Sequence, residues 1–79
     1  MSAHAEVIGV ARSEAGSVYL HDEAKACVGG AWYAPWRAAD GDTVDGCWRA
    51  GPDGVVRVVF MDADVSMIPF EAIKQPQAL

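Results

Sequence analysis

Nine residues, Asp40 to Trp48 (DGDTVDGCW), hold three aspartates and a cysteine, and a second acidic step follows at Asp62-Ala63-Asp64. An Asp-x-Asp step with a glycine behind it is how an EF-hand calcium loop opens. Counted from Asp40, however, Val44 takes the fifth position, the glycine moves to the seventh, and Gly51 stands where the bidentate glutamate belongs. The spacing predicts a solvated turn, in which aspartates bond to their own backbone. Zinc would have to draw on His4, His21, Cys27 and Cys47, which form neither a C-x-x-C knuckle nor an H-x-x-x-H pair. No metal and no cofactor is expected. His4 is placed in a frayed terminus and His21 on the half-exposed face of a strand.

Cys47 as a nucleophile would need a base and an orienting group, and neither histidine lies in a motif that supplies them. The sequence contains no G-x-x-x-x-G-K or G-x-G-x-x-G phosphate loop and no G-x-S-x-G elbow. A binding protein is expected rather than an enzyme. A bridge between Cys27 and Cys47 would close a loop of roughly 20 residues and contribute about 3 kcal/mol. With only two cysteines and no secretory signature, reduced thiols are the expected state.

These groups must be held by a small scaffold. The chain has 79 residues, 52% of them hydrophobic, which is one domain spanning 1–79. A core of this size supplies roughly 3 to 5 kcal/mol of net stability, so a homodimer or a bound partner is an ordinary way to gain more. Six Lys and Arg against eleven Asp and Glu leave a net charge of −5. Direct contact with nucleic acid phosphates is therefore not expected, and a protein partner with a basic surface is. The start lacks the basic and apolar regions of a signal peptide, and no stretch approaches the ~20 apolar residues that cross a bilayer. The expected location is cytoplasmic, in a host cell.

Short apolar or alternating runs separated by Gly, Asp and Pro predict a mainly β domain: a small antiparallel meander of five or six strands, or an SH3-like barrel, with one short C-terminal helical turn. The predicted strands are Ala5 to Arg12, SVYLHDE, AWYAPWRA, TVDGCWRA, VVRVVFM and VSMIP. Val18 and Leu20 should share one face of the second run, Tyr19 and His21 the other. DEAKAC is expected to make a single helical turn capped by Asp22, and PFEAIK another that begins at Pro69 and buries Phe70 and Ile73. Pro35 cannot donate to a ladder, which marks its strand as an edge or bulged. On TVDGCWRA, Trp48 should join Val44 on the core side while Cys47 takes the other face.

Aromatics and acids remain as candidate contact residues. Trp32 and Trp48 are expected to fill the core, whereas Tyr33 and Trp36, flanking Pro35, are expected at an exposed edge where aromatics anchor a partner. Asp40, Asp42, Asp45, Asp62 and Asp64, like Asp53, occupy predicted turns or their margins. If alternate hairpin ends meet at one end of the barrel, they form a negative rim that could enter a basic groove in place of phosphates. The same charges also serve solubility and guard sheet edges.

VDGCWRA followed by GVVRVVFMDADVSMIP resembles small proteins encoded by phages and prophages. These share an upstream cysteine, a G-C-W strand, an apolar strand, and an acidic turn leading to V-x-x-x-P. Cys27, Gly46, Cys47, Trp48, Asp62, Asp64 and Pro69 match, and the resemblance covers roughly the C-terminal half. Ala63 departs from the D-G-D turn of that pattern. The resemblance implies an inhibitor of host defence of the anti-CRISPR type, acting by binding. The alternative is an SH3-like module that takes a peptide or subunit along the Tyr33 and Trp36 strand.

Overall fold

A computed structural model describes residues 7–76. The predicted positions of His4, Ala5 and Glu6 lie outside the described residues. The chain runs through β1 (Val7–Ser13), β2 (Gly16–His21), β3 (Trp32–Tyr33), β4 (Trp36–Ala38), β5 (Thr43–Val44), β6 (Gly46–Ala50), β7 (Val55–Phe60) and β8 (Val65–Pro69), then a single 3-10 turn, Phe70–Ala72. All pairings are antiparallel. The order β1-β2-β4-β5 forms sheet A, and β3-β6-β7-β8 forms sheet B.

The mainly β class and the closing helical turn agree with the sequence. The count of five or six strands does not, and neither does a closed barrel, because two of the predicted strands are each divided between the sheets. AWYAPWRA leaves sheet B after Tyr33 and enters sheet A at Trp36. At the crossing, the Ala34 N–H donates to the Gly46 carbonyl at 2.8 Å and the Pro35 carbonyl accepts from Tyr19 at 3.0 Å. Proline has no N–H to carry a straight ladder through, so the chain turns the corner there. TVDGCWRA makes the reverse crossing at Asp45, whose carbonyl accepts from Met61 at 2.9 Å. Gly46 admits this bend, since a Cβ would lie 2.6 Å from Phe60 Cδ1 and 2.8 Å from the Ala34 oxygen.

The inner faces close on Val18, Leu20, Ala34, Trp48, Val56, Val58, Phe60 and Ile68, with Ala11, Trp36, Val44 and Ile73 packed partly against them, while Val10, paired with Tyr19, is buried on the outer side of sheet A. Tyr19 and His21 are half-buried on the outer side of β2, as alternation requires. Two predicted burials fail. Trp32 pairs with Trp48 and meets its ring at 5.0 Å, but β3 is the edge of its sheet, so none of the described strands covers the far side and Trp32 stays 40% exposed. Phe70 follows β8 directly and stands at the mouth of a cleft, exposed, while Ile73 reaches the core above Gly9.

DEAKAC is not helical. Lys25 takes a left-handed φ of 48°, and the Glu23 carbonyl serves instead as acceptor for the Tyr33 N–H at 2.8 Å. This loop brings Cys27 beside β6, where it is bonded to Cys47 with the Cα atoms 5.8 Å apart. The expectation of reduced thiols is thereby corrected. Spacing alone could not show that the non-helical loop folds back onto the central strand of sheet B.

Candidate functional site

Tyr33 and Trp36, read as neighbours on one edge strand, stand in different sheets. Tyr33 lies on the edge strand β3, but β4 lies inside sheet A, and Trp36 is half-buried between β2 and β5. The Tyr33 hydroxyl donates to Asp45 Oδ1 at 2.8 Å, Lys25 Nζ sits 4.4 Å from the ring centroid, and the His21 ring lies 5.0 Å away. Burial and the hydrogen bond to Asp45 both push the phenol pKa above its ordinary 10. Tyr33 therefore stays protonated and fixes the Asp45 carboxylate at the surface.

His21 shares this cluster. Among the described residues its Nδ1 is buried without a hydrogen-bond partner, and burial lowers the imidazole pKa from 6.5; Lys25 and Arg37 add to the effect while Glu23 and Asp22 oppose it. The unfolded chain takes up the proton first as pH falls, so the stabilisation present above about pH 6.5 is lost as the pH drops toward the lower folded value. Urea midpoints should therefore be lower at about pH 5.5 than at about pH 7.5. In a His21→Gln chain the two midpoints should draw together.

Asp40 and Asp42 occupy the turn between β4 and β5. Asp40 Oδ1 accepts from the Asp42 N–H at 3.1 Å, and Asp42 returns its carbonyl to Ala38 at 2.7 Å. Asp62 makes the equivalent bond to Asp64 N–H at 3.2 Å, with Ala63 at a φ of 75° in the position where glycine would be at ease. All five candidate aspartates are exposed. Among the described residues, no three His, Cys, Asp or Glu side chains come together as metal ligands.

Three of the candidates converge. Because the sheets do not close into a barrel, a cleft of about 490 Å³ opens between β5 and the start of β8. Trp36, Val44 and Phe60 supply its apolar wall, and Asp62 and Asp64 its acidic side, next to Val65 and Ser66. Asp45 is tied to this end through its carbonyl bond to Met61, while Asp40 and Asp42 are not part of the lining. The one ion pair among the described residues, Arg57 to Asp53 at 3.1 Å, involves none of these acids. An apolar floor beside carboxylates that pair with no cation among the described residues suits a partner that brings both apolar and basic groups.

Sequence reading missed a second surface. Val59, Met61, Val65 and Met67 are all more than half exposed on the outer side of β7 and β8 and in the turn between them. Arg57, in the middle of VVRVVFM, was the available signal. A charged residue in an apolar run marks the outward phase, so Val59 and Met61 share its side, while Val56, Val58 and Phe60 face the core.

Comparison with protein-family models, with curated proteins and with solved structures finds no match for this chain.

Proposed function

We propose that this protein works by binding rather than by catalysis, presenting an acidic rim with an aromatic floor to a basic surface of another protein. The observation that supports this reading is the cleft in which Trp36 lies with Asp62 and Asp64 beside it, joined to the Asp45 corner by the Met61 bond. A groove that holds nucleic acid phosphates has the complementary charge, and occupying it would block the groove without any reaction. The resemblance to phage-encoded inhibitors supports the specific form, a block on a host defence complex such as a CRISPR effector. The alternative peptide module would use Tyr33 and Trp36 as one surface, and they stand in different sheets.

The test replaces Asp40, Asp42, Asp62 and Asp64 by Asn, which moves the formal charge from −5 to about −1, since four negative charges are removed. All four are exposed turn residues, so the chain should still fold. Its capture of partner proteins from host lysate, and its inhibition of a CRISPR effector, should fall by about tenfold or more. Unchanged capture by the folded variant would end the acidic-rim reading.

A further inference from the structure

Four strands end the two sheets, and among the described residues only one of them offers a long open edge. β3 and β5 have two residues each, and β1 is covered where Val10 and Lys74 exchange backbone bonds at 2.8 and 2.9 Å. β8 has five residues, Val65–Pro69, no charged side chain, and among the described residues no neighbouring strand beyond β7. Proteins usually guard such an edge with charge, a bulge or a cover. Here the guard is a single proline at the strand's end.

The ladder tells which groups are open. Phe60 N–H donates to Asp64 at 2.8 Å and Phe70 N–H to Gly54 at 3.0 Å, and these bonds bracket the register Val59↔Val65 through Val55↔Pro69. Antiparallel pairs alternate between bonded and non-bonded. Ser66 and Ile68 therefore turn their amides toward β7, while the N–H and C=O of Val65 and Met67 point away from it. Beside that edge the seam between the sheets is hollow. The 490 Å³ cleft at the Val65 end and another of about 270 Å³ at the Pro69 end both reach Trp36 and Ser66, so they lie end to end as a trough along β8 with these two residues at the junction.

We infer that this trough accepts an extended peptide segment as a fifth strand of sheet B, paired antiparallel to β8, with apolar residues over Trp36 and basic residues at its C-terminal end against Asp62 and Asp64. The inference rests on the binding reading above and gives the partner's contact its form. Main-chain bonds to Val65 and Met67 would supply register, and the trough and the acids would select side chains. A second copy of this chain would bring its whole sheet with its strand, and sheet A, through Ala11, Arg12 and Trp36, walls the trough on the other side. A lone strand has no such burden.

The probe is a blocked eight-residue peptide of alternating valine and threonine ending in two lysines, added to the isotope-labelled full chain while amide exchange is followed by NMR. In the free protein the Val65 and Met67 amides should exchange quickly, and saturating peptide should slow them by about tenfold or more. Of two N-methylated versions, one methylated at every valine and one at every threonine, one phase should lose this protection, and replacing the lysines by glutamates should weaken binding by about tenfold. The inference is overturned if both methylated peptides protect as well as the parent or if the peptide protects neither amide. Protection that rises with protein concentration alone would assign the edge to a second copy and overturn it too. If the four-Asn chain loses its partners while the peptide leaves Val65 and Met67 unprotected, strand addition is wrong and the acidic-rim reading stands.

Discussion

Opening the Cys27–Cys47 bond should cost the folded state about 3 kcal/mol, most of what a core of this size supplies. The bridge spans a sequence separation of 20 and ties the loop before β3 to a central strand of sheet B. The first part of that loop is held by the Glu23–Tyr33 bond and by Lys25 over the Tyr33 ring, but past Cys27 Val28 is 83% exposed, and Gly29 and Gly30 both take left-handed φ values. Without the bond, the unfolded chain regains the entropy of an open loop, and β3 is left with its two-residue pairing to β6, the Tyr33 bonds to Glu23 and Asp45, and the Trp32–Trp48 contact. Urea unfolding of the oxidised chain, the reduced chain and the Cys27→Ser/Cys47→Ser chain checks this. The last two should agree with each other and unfold at much lower urea, whereas coincident midpoints would show that the bond does not constrain the fold. The bond also links stability to surroundings, because an oxidising compartment keeps it and a reducing cytoplasm opens it.

Trp48→Ala should be the most damaging single truncation, at about 3 to 5 kcal/mol. Trp48 is buried at the centre of β6, its ring meets Trp32, and its Nε1–H donates to the His21 carbonyl at 2.9 Å. Removing it empties the middle of the core and strands that carbonyl. Trp32→Ala, at an exposed edge, should cost only about 1 kcal/mol. The larger loss is comparable with the whole stability of the domain, so Trp48→Ala should appear as a chain without dispersed NMR amide signals, and Trp48→Phe as a folded but weakened one. Equal losses for Trp32→Ala and Trp48→Ala would mean that the inner and outer positions are wrongly assigned.

How far the sequence discloses this molecule can be judged from the same residues. Alternation correctly places Val18 and Leu20 inside, Tyr19 and His21 outside, and Trp48 opposite Cys47, because period two is a local property of a strand. The turn glycines and Pro69 likewise mark boundaries through local chemistry. What escapes is long-range. Whether AWYAPWRA stays in one sheet depends on what meets Ala34 and Pro35, namely Gly46 and Tyr19, and those partners are far away in sequence. Once the run splits, Trp32 falls at an edge and Trp36 in an interior strand, the reverse of the expectation. The disulfide is hidden for the same reason, since it needs the loop after Asp22 to double back. The candidate site was half legible: the turn acids are where their composition put them, but the cleft joining Asp62 and Asp64 to Trp36 exists only because the two sheets fail to close.

The central claim is that charge on this surface drives binding, and the salt dependence of partner affinity tests it most directly. Between about 0.1 M and about 1 M salt, the screening length falls from about 10 Å to about 3 Å. Affinity of the native chain for a captured partner, or for a CRISPR effector, should fall by about tenfold or more over that range, and the Asp40, Asp42, Asp62 and Asp64 to Asn chain should begin weak and change little. An affinity that is the same at both salt concentrations, and the same in the four-Asn chain, would contradict the account.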